Sequence, residues 1–155
     1  MVTKSGVLSS GTRGVLLSEY SIVVEELTKY PSVKFQKRNN HELKIYRNDK
    51  YGFDIILQTD VRENTLHFGS FHWHYENTEE EIDEMLSQLI FALVGLVRIE
   101  EFSKNGIAYK WTLQIKDSEG NWHDNGTMQT INLKFWTTPD ISYLQNSILP
   151  EDILK

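Results

Sequence analysis

Cysteine is absent from the 155 residues of the chain. Without thiols the protein has no disulfide, no thiolate nucleophile and no cysteine-ligated zinc. The longest apolar run, Leu89–Val97, is interrupted by Gly95 and is too short to span a bilayer. The N-terminus also lacks the basic segment and apolar core of a secretory signal. We therefore expect a cytoplasmic protein.

Basic residues are in the minority, with 16 Lys and Arg against 22 Asp and Glu, which gives a formal net charge of −6. Binding along a nucleic-acid backbone requires a basic face, so this balance argues against DNA or RNA as a partner. It favours a basic protein partner instead. The length and the 39% hydrophobic content indicate one domain over residues 1–155, with a flexible lead at 1–14 and a tail at 150–155.

Two segments have the apolar spacing of amphipathic helices, about residues 15–29 and 78–94. The second has the clearer boundaries. Thr78 and Glu81 have capping-box spacing at its start, and Gly95 is placed to end it in a left-handed conformation. Its first turns are acidic, which suits the positive end of the helix dipole.

The remaining apolar residues alternate with polar ones, as in strands. We predict three strands before the second helix, at about residues 43–45, 53–57 and 66–75, and three after it. Asn105-Gly106 is a strong hairpin signal within the second set. The basic stretch Lys34–His41 and the segment Ser118–Thr127 are expected to be loops. The last strand should cover Ile131–Phe135, and Pro139 should open a short helix to about residue 147.

The predicted order is αβββαβββα. Sequential strands joined by short turns form antiparallel meanders, and a sheet with one apolar face is covered by helices. We therefore expect an α+β fold of two three-stranded meanders with the helices packed on one face.

His72, His74 and Glu76 alternate along a predicted strand and should share one face. Two imidazoles and a carboxylate are a ligand set for a divalent metal such as zinc or iron. His67 or His123 would complete the site. In the alternative interpretation, the intervening aromatic residues pack in the core and both histidines face water.

The surface also offers acidic and aromatic candidates for a protein interface, in which aromatic anchors commonly lie beside charged residues. These are Glu79, Glu80, Glu84, Phe91, Trp122 and Trp136. The predicted function is therefore a non-enzymatic protein-binding module, such as a small acidic inhibitor, an immunity-type protein or a chaperone-like protein. The layout of helix, three strands, helix and strands is similar to that of secretion chaperones. The alternative is a metal-dependent or small-ligand-binding protein that uses His72, His74 and Glu76.

The second half of the second helix, from Leu89 to Val94, is apolar on all sides. Such a segment requires cover on every face. The first helix, the C-terminal segment or a second subunit could provide it, and we favour a homodimer contact that includes Phe91.

Overall fold

The computed structural model describes residues 20–132, 134 and 136–154. These residues form two α-helices, two antiparallel sheets and a short 3₁₀ helix. In chain order the elements are α1 (residues 20–28), β1 (Phe35–Arg38), β2 (Glu42–Ile45), β3 (Ile55–Thr59), β4 (Glu63–Phe68), β5 (Phe71–Glu76), α2 (Glu79–Val94), β6 (Val97–Lys104), β7 (Ile107–Lys116), β8 (Trp122–Gln129), β9 (Asp140–Gln145) and the 3₁₀ helix (Glu151–Leu154). The α+β class is confirmed, but the two three-stranded meanders and the order αβββαβββα are wrong, because the sheets have five and four strands. The predicted lead over residues 1–14 and the start of the first helix lie outside the described residues.

Strands β1 to β5 form an antiparallel meander in chain order, which we call sheet 1. Alternate residues such as Leu43, Ile55 and Leu57 are fully buried on its inner face. The predicted single strand from Leu66 to Tyr75 is in fact parts of two strands. The chain reverses at Gly69, whose φ of 59° is accessible to glycine without steric cost.

The first strand of sheet 1 lies in the basic stretch that was predicted to be a loop. Phe35 is the Cα partner of Ile45 on β2 and is half-buried against the core. The other residues of β1 are exposed, Lys37 and Arg38 among them. The loop prediction was wrong because one inward-facing residue is too weak an alternation to be recognised in the sequence.

Helix α2 begins and ends as predicted. The Thr78 hydroxyl accepts a hydrogen bond from the Glu81 N–H at 3.2 Å, and the Glu81 carboxylate accepts one from the Glu76 N–H at 3.3 Å. Gly95 ends the helix with a φ of 84°. The apolar residues that share one side of the helix are buried, except that Ile90 is only partly buried. The fully packed members are Ile82, Met85, Leu86, Leu89 and Leu93.

The remaining four strands form sheet 2, in the order β8-β7-β6-β9. The turn between β6 and β7 is the predicted one, with φ values of 52° at Asn105 and 77° at Gly106. Val97 and Ile99 of β6 are buried on the inner face. Because side chains alternate along a strand, Arg98 and the residues in register with it lie on the opposite, outer face.

The segment Ser118–Thr127 was predicted to be a loop, but most of β8 lies in it. β8 pairs with β7 through polar residues, for example Thr127 opposite Thr112. The register shifts near Gly126, whose φ is 128°. Polar side chains and an irregular register remove the period-two pattern, so the sequence offered no local sign of a strand.

The segment from Pro139 to Ser147, predicted to be a short helix, contains β9. Proline suits the first turn of a helix, but it is equally tolerated at the start of an edge strand. Here Leu144 is the Cα partner of Ile99 and packs against the core, which fixes the segment as a strand. The predicted strand over residues 131–135 is also wrong for Ile131, Asn132 and Lys134, and residues 133 and 135 lie outside the described residues.

One cluster of buried side chains joins α1, both sheets and α2, and α2 contacts β5 and β6. The C-terminal segment is attached to this core. Leu149 is buried, and its N–H donates to the Leu93 carbonyl at 2.9 Å. None of the described helices is long and apolar enough to cross a membrane.

Candidate functional site

The histidines of sheet 1 lie together on its outer face. His72, His74 and Glu76 alternate along β5 and share that face, as predicted. His67 of β4 is the Cα partner of His72, and the centroids of their rings are 5.5 Å apart. The rings of His72 and His74 are 5.4 Å apart and meet edge to face. The structure therefore brings three imidazoles together, which we call the histidine cluster.

Polar neighbours surround the histidine cluster. His67 Nε2 lies 3.0 Å from Gln58 Oε1, and His74 Nδ1 lies 3.1 Å from both Thr65 Oγ1 and Glu63 Oε1. Partial burial lowers the pKa of His67, and the nearby His72 and His74 lower it further. Its imidazole is therefore neutral at pH 7 and able to act as a ligand or hydrogen-bond partner.

Of the two histidines that were expected to complete the metal site, His67 lies in the histidine cluster and His123 does not. His123 lies on β8 of sheet 2, where its Nε2 is 2.6 Å from Asp117 Oδ2, and it does not belong to the histidine cluster. Within the described residues, no three His, Asp or Glu side chains are arranged to hold a metal ion. Metal binding by His72, His74 and Glu76 stays a prediction that this arrangement does not favour.

The lowered pKa of His67 predicts a pH dependence of stability. As the pH falls below the ordinary histidine value of about 6.5, the unfolded chain takes up a proton before the folded chain does, so the folded state is destabilised. Urea unfolding of the wild type should show stability falling over this range. His67→Gln keeps a polar side chain but removes the proton uptake, so its stability should depend less on pH. An unchanged pH dependence in this variant would contradict the assignment.

The acidic candidates lie at the start of α2. Glu79, Glu80 and Glu84 are exposed, whereas Glu81 is partly buried and accepts the hydrogen bond from Glu76. The three exposed carboxylates therefore form an accessible acidic surface, in addition to their favourable interaction with the helix dipole.

The apolar second half of α2 is covered by the rest of the chain. Phe91 is partly buried and packs against the core. Ile90 and Leu93 line an apolar groove of about 220 Å³ that α1 and the C-terminal segment complete. The first helix and the C-terminal segment thus supply part of the cover that this half of the helix requires. A dimer contact at Phe91 stays an untested prediction.

The outer face of sheet 2 carries a second cluster that joins three strands. The guanidinium carbon of Arg98 on β6 lies 4.2 Å from the ring centroid of Trp122 on β8 and 4.1 Å from that of Tyr143 on β9. We call these three residues the aromatic–arginine stack. Tyr143 remains 46% exposed.

Hydrogen bonds fix the members of the aromatic–arginine stack. Arg98 Nε donates to Gln114 Oε1 at 2.7 Å, and Gln114 Nε2 donates to Asp124 Oδ1 at 2.8 Å. The Tyr143 hydroxyl donates to Glu100 Oε2 at 2.9 Å, and this bond raises the pKa of the hydroxyl. The side chains of the stack are therefore held in place within the folded chain.

Sequence reasoning found one of the three members. Trp122 was a candidate because it is an aromatic residue in a polar segment. Arg98 was not among the candidate residues, and Tyr143 was assigned to a helix. Trp136, another candidate, is 73% exposed in the connection between β8 and β9 and is outside the stack.

The stack can form attractive contacts but contains no nucleophile paired with a base. Cation–π contacts contribute about 0.5–1 kcal/mol each where they are exposed and more where they are desolvated.

No protein-family model, no curated protein and no solved structure matches this chain.

Proposed function

We propose that this protein is a non-enzymatic binding module that recognises a protein partner with the outer face of sheet 2. The observation that carries the proposal is the aromatic–arginine stack of Trp122, Arg98 and Tyr143. Tryptophan, tyrosine and arginine are the residue types most enriched among the few that dominate binding energy in protein interfaces.

The fixed geometry of the stack supports a role in binding. An interface must overcome the entropy lost when side chains become ordered, about 0.5–1.5 kcal/mol for each long side chain. Arg98 is already held by two rings and by Gln114. Most of its side-chain entropy is therefore lost when the chain folds, and little more is lost when a partner binds. A partner that covers the stack would also remove it from water and strengthen its electrostatic contacts.

The net charge of the chain favours a basic partner. The outer face of sheet 2 itself carries both signs, because Glu100 and Asp124 bond to Tyr143 and Gln114 while Lys116 lies 5.9 Å from the centroid of the Trp122 ring. The chain as a whole carries a formal charge of −6. This overall charge favours approach of a positively charged surface. An inhibitor, an immunity-type protein and a chaperone-like protein all fit this description, and a cytoplasmic location stays a prediction from the sequence.

Removing the stack should abolish tight binding. The immobilised protein would first be used to isolate partners from its source cells, and binding of the purified partner would then be measured by calorimetry. Trp122→Ala and Arg98→Ala should each weaken the affinity by about 30-fold or more, because such positions contribute roughly 2 kcal/mol or more. Tyr143→Phe keeps the ring and should have a smaller effect.

The matched control is Tyr46→Ala, which removes another tyrosine whose ring contacts a cation, Lys44, but which lies next to β2 of sheet 1. Its affinity should equal that of the wild type. Thermal unfolding of each variant separates lost binding from lost folding. If a purified partner binds the wild type and a folded Trp122→Ala variant with the same affinity, the outer face of sheet 2 is not the interface.

A further inference from the structure

His67 and His72 lie directly opposite each other on two neighbouring strands of sheet 1, and we call them the histidine pair. The Gly69 N–H donates to the Asp54 carbonyl at 2.9 Å, so the odd-numbered residues of β4 direct their backbone groups toward β3. His67 and His72 are therefore a non-hydrogen-bonded pair, in which the Cα atoms lie about 4.5 Å apart and the side chains are close.

The separation of the two rings is close to that of imidazoles that share one metal ion. With Zn–N bonds of about 2.0–2.1 Å and tetrahedral geometry, the centroids of two ligating rings lie about 5 Å apart. The observed separation is 5.5 Å. A small rotation about χ2 covers the difference, because that torsion has broad energy minima in histidine. Both residues are also partly buried on paired strands, so little further ordering is needed when an ion binds.

Hydrogen bonds fix which nitrogen of His67 is free to bind a metal. An ionised carboxylate only accepts hydrogen bonds, so Gln58 directs its Nε2 to Glu42 Oε1, at 2.8 Å. Gln58 Oε1 therefore accepts a hydrogen bond from His67 Nε2, at 3.0 Å, and leaves Nδ1 with its lone pair. Metal-binding histidines commonly donate their second ring N–H to an oxygen in this way, which orients the ring and makes it more basic.

His72 and the surrounding charges also suit a cation. Among the described residues, neither ring nitrogen of His72 has a hydrogen-bond partner. Two carboxylates lie next to the histidine pair on the same face of the sheet. Glu42 is bonded to Gln58, and Glu63 Oε1 is 3.1 Å from His74 Nδ1. Their negative charges attract a cation to this face.

We propose that His67 and His72 together bind one divalent transition-metal ion, with water in its remaining coordination positions. Imidazole suits zinc, copper and nickel, whereas magnesium and calcium prefer oxygen ligands. A site with two protein ligands is compatible with the finding that no three His, Asp or Glu side chains in the described part of the chain are arranged around an ion. The set predicted from the sequence differed because it took His72, His74 and Glu76 from a single strand.

Calorimetric titration of zinc chloride into protein without a histidine tag tests the ligands. The wild type should bind one zinc ion per chain. His67→Ala and His72→Ala should each abolish the binding, because one imidazole cannot chelate. Gln58→Ala should weaken it by about tenfold, since loss of a hydrogen-bond partner of a ligand has effects of this size.

His74→Ala and His123→Ala are the matched controls. The first removes a ring only 5.4 Å from that of His72, and the second removes a histidine that has a carboxylate partner on sheet 2. Both variants should bind zinc as the wild type does. A loss of binding in His74→Ala equal to that in His72→Ala would contradict the histidine pair as the site.

Thermal unfolding gives the second measurement. An ion that binds only the folded chain raises Tm as its concentration rises. Copper should raise Tm at lower concentrations than zinc or nickel, and magnesium should have no effect. A wild type that takes up no zinc, or folded His67→Ala and His72→Ala variants that bind zinc as the wild type does, overturns the proposal. These variants leave the aromatic–arginine stack on sheet 2 intact, so the test is independent of the proposed function.

Discussion

Leu89→Ala should lower the free energy of unfolding by about 2–5 kcal/mol, the range for removing a large aliphatic side chain from a packed core. Leu89 is fully buried in the middle of α2 and belongs to the cluster that includes residues of both sheets. The truncation removes apolar contacts and leaves a cavity that the surrounding strands can fill only in part. Urea unfolding followed by tryptophan fluorescence would measure the change.

Ser87→Ala is the matched control because Ser87 lies on the exposed side of the same helix. Its effect should stay within about 0.5 kcal/mol of the wild type, as is usual for surface substitutions. A loss below about 1 kcal/mol in Leu89→Ala would show that α2 is not packed as described.

Asn146→Ala should cost about 2–4 kcal/mol, because it leaves two buried backbone groups without partners. Asn146 is 1% exposed, directly after β9. Its side chain accepts a hydrogen bond from the Phe53 N–H at 2.9 Å and donates one to the Phe53 carbonyl at 3.0 Å. It therefore connects sheet 2 to the segment that enters β3 of sheet 1. A Cβ atom on Gly52 would lie 2.3 Å from Asn146 Oδ1, so glycine allows this close approach.

Asn48→Ala is the control for that substitution. Asn48 Nδ2 also donates to a backbone carbonyl distant in sequence, that of Ser147 at 3.0 Å, but this bond is exposed. Water replaces an exposed partner, so the loss should be about 1 kcal/mol or less. Hydrogen exchange gives an independent readout, since the Phe53 amide should lose protection in Asn146→Ala and keep it in Asn48→Ala. Equal losses of stability in the two variants would contradict the role of Asn146.

Each element that was predicted correctly is marked by residues that lie close to one another in the sequence. Thr78 with Glu81 starts α2, Gly95 ends it, and Asn105-Gly106 forms the turn between β6 and β7. Each of these residues stabilises a local backbone conformation, so its effect does not depend on which distant segment packs nearby.

The elements that were missed depend on their pairing partners. β1 and β9 become strands because Phe35 meets Ile45 and Leu144 meets Ile99. β8 pairs with β7 through polar residues around an irregular register. A strand is stabilised by cross-strand pairs as much as by its own residues, so weak alternation in one segment is not informative until the neighbouring strand is known.

The candidate sites show the same difference between what local sequence determines and what distant pairing partners determine. The sequence alone determined that His72, His74 and Glu76 share a face, because alternation along one strand is a local property. It also determined the acidic start of α2 and the absence of thiol chemistry. Only the tertiary structure placed His67 beside His72 and brought Arg98 between Trp122 and Tyr143. These residues lie on different strands, and strand order and register, set by packing across the whole core, decide which of them meet.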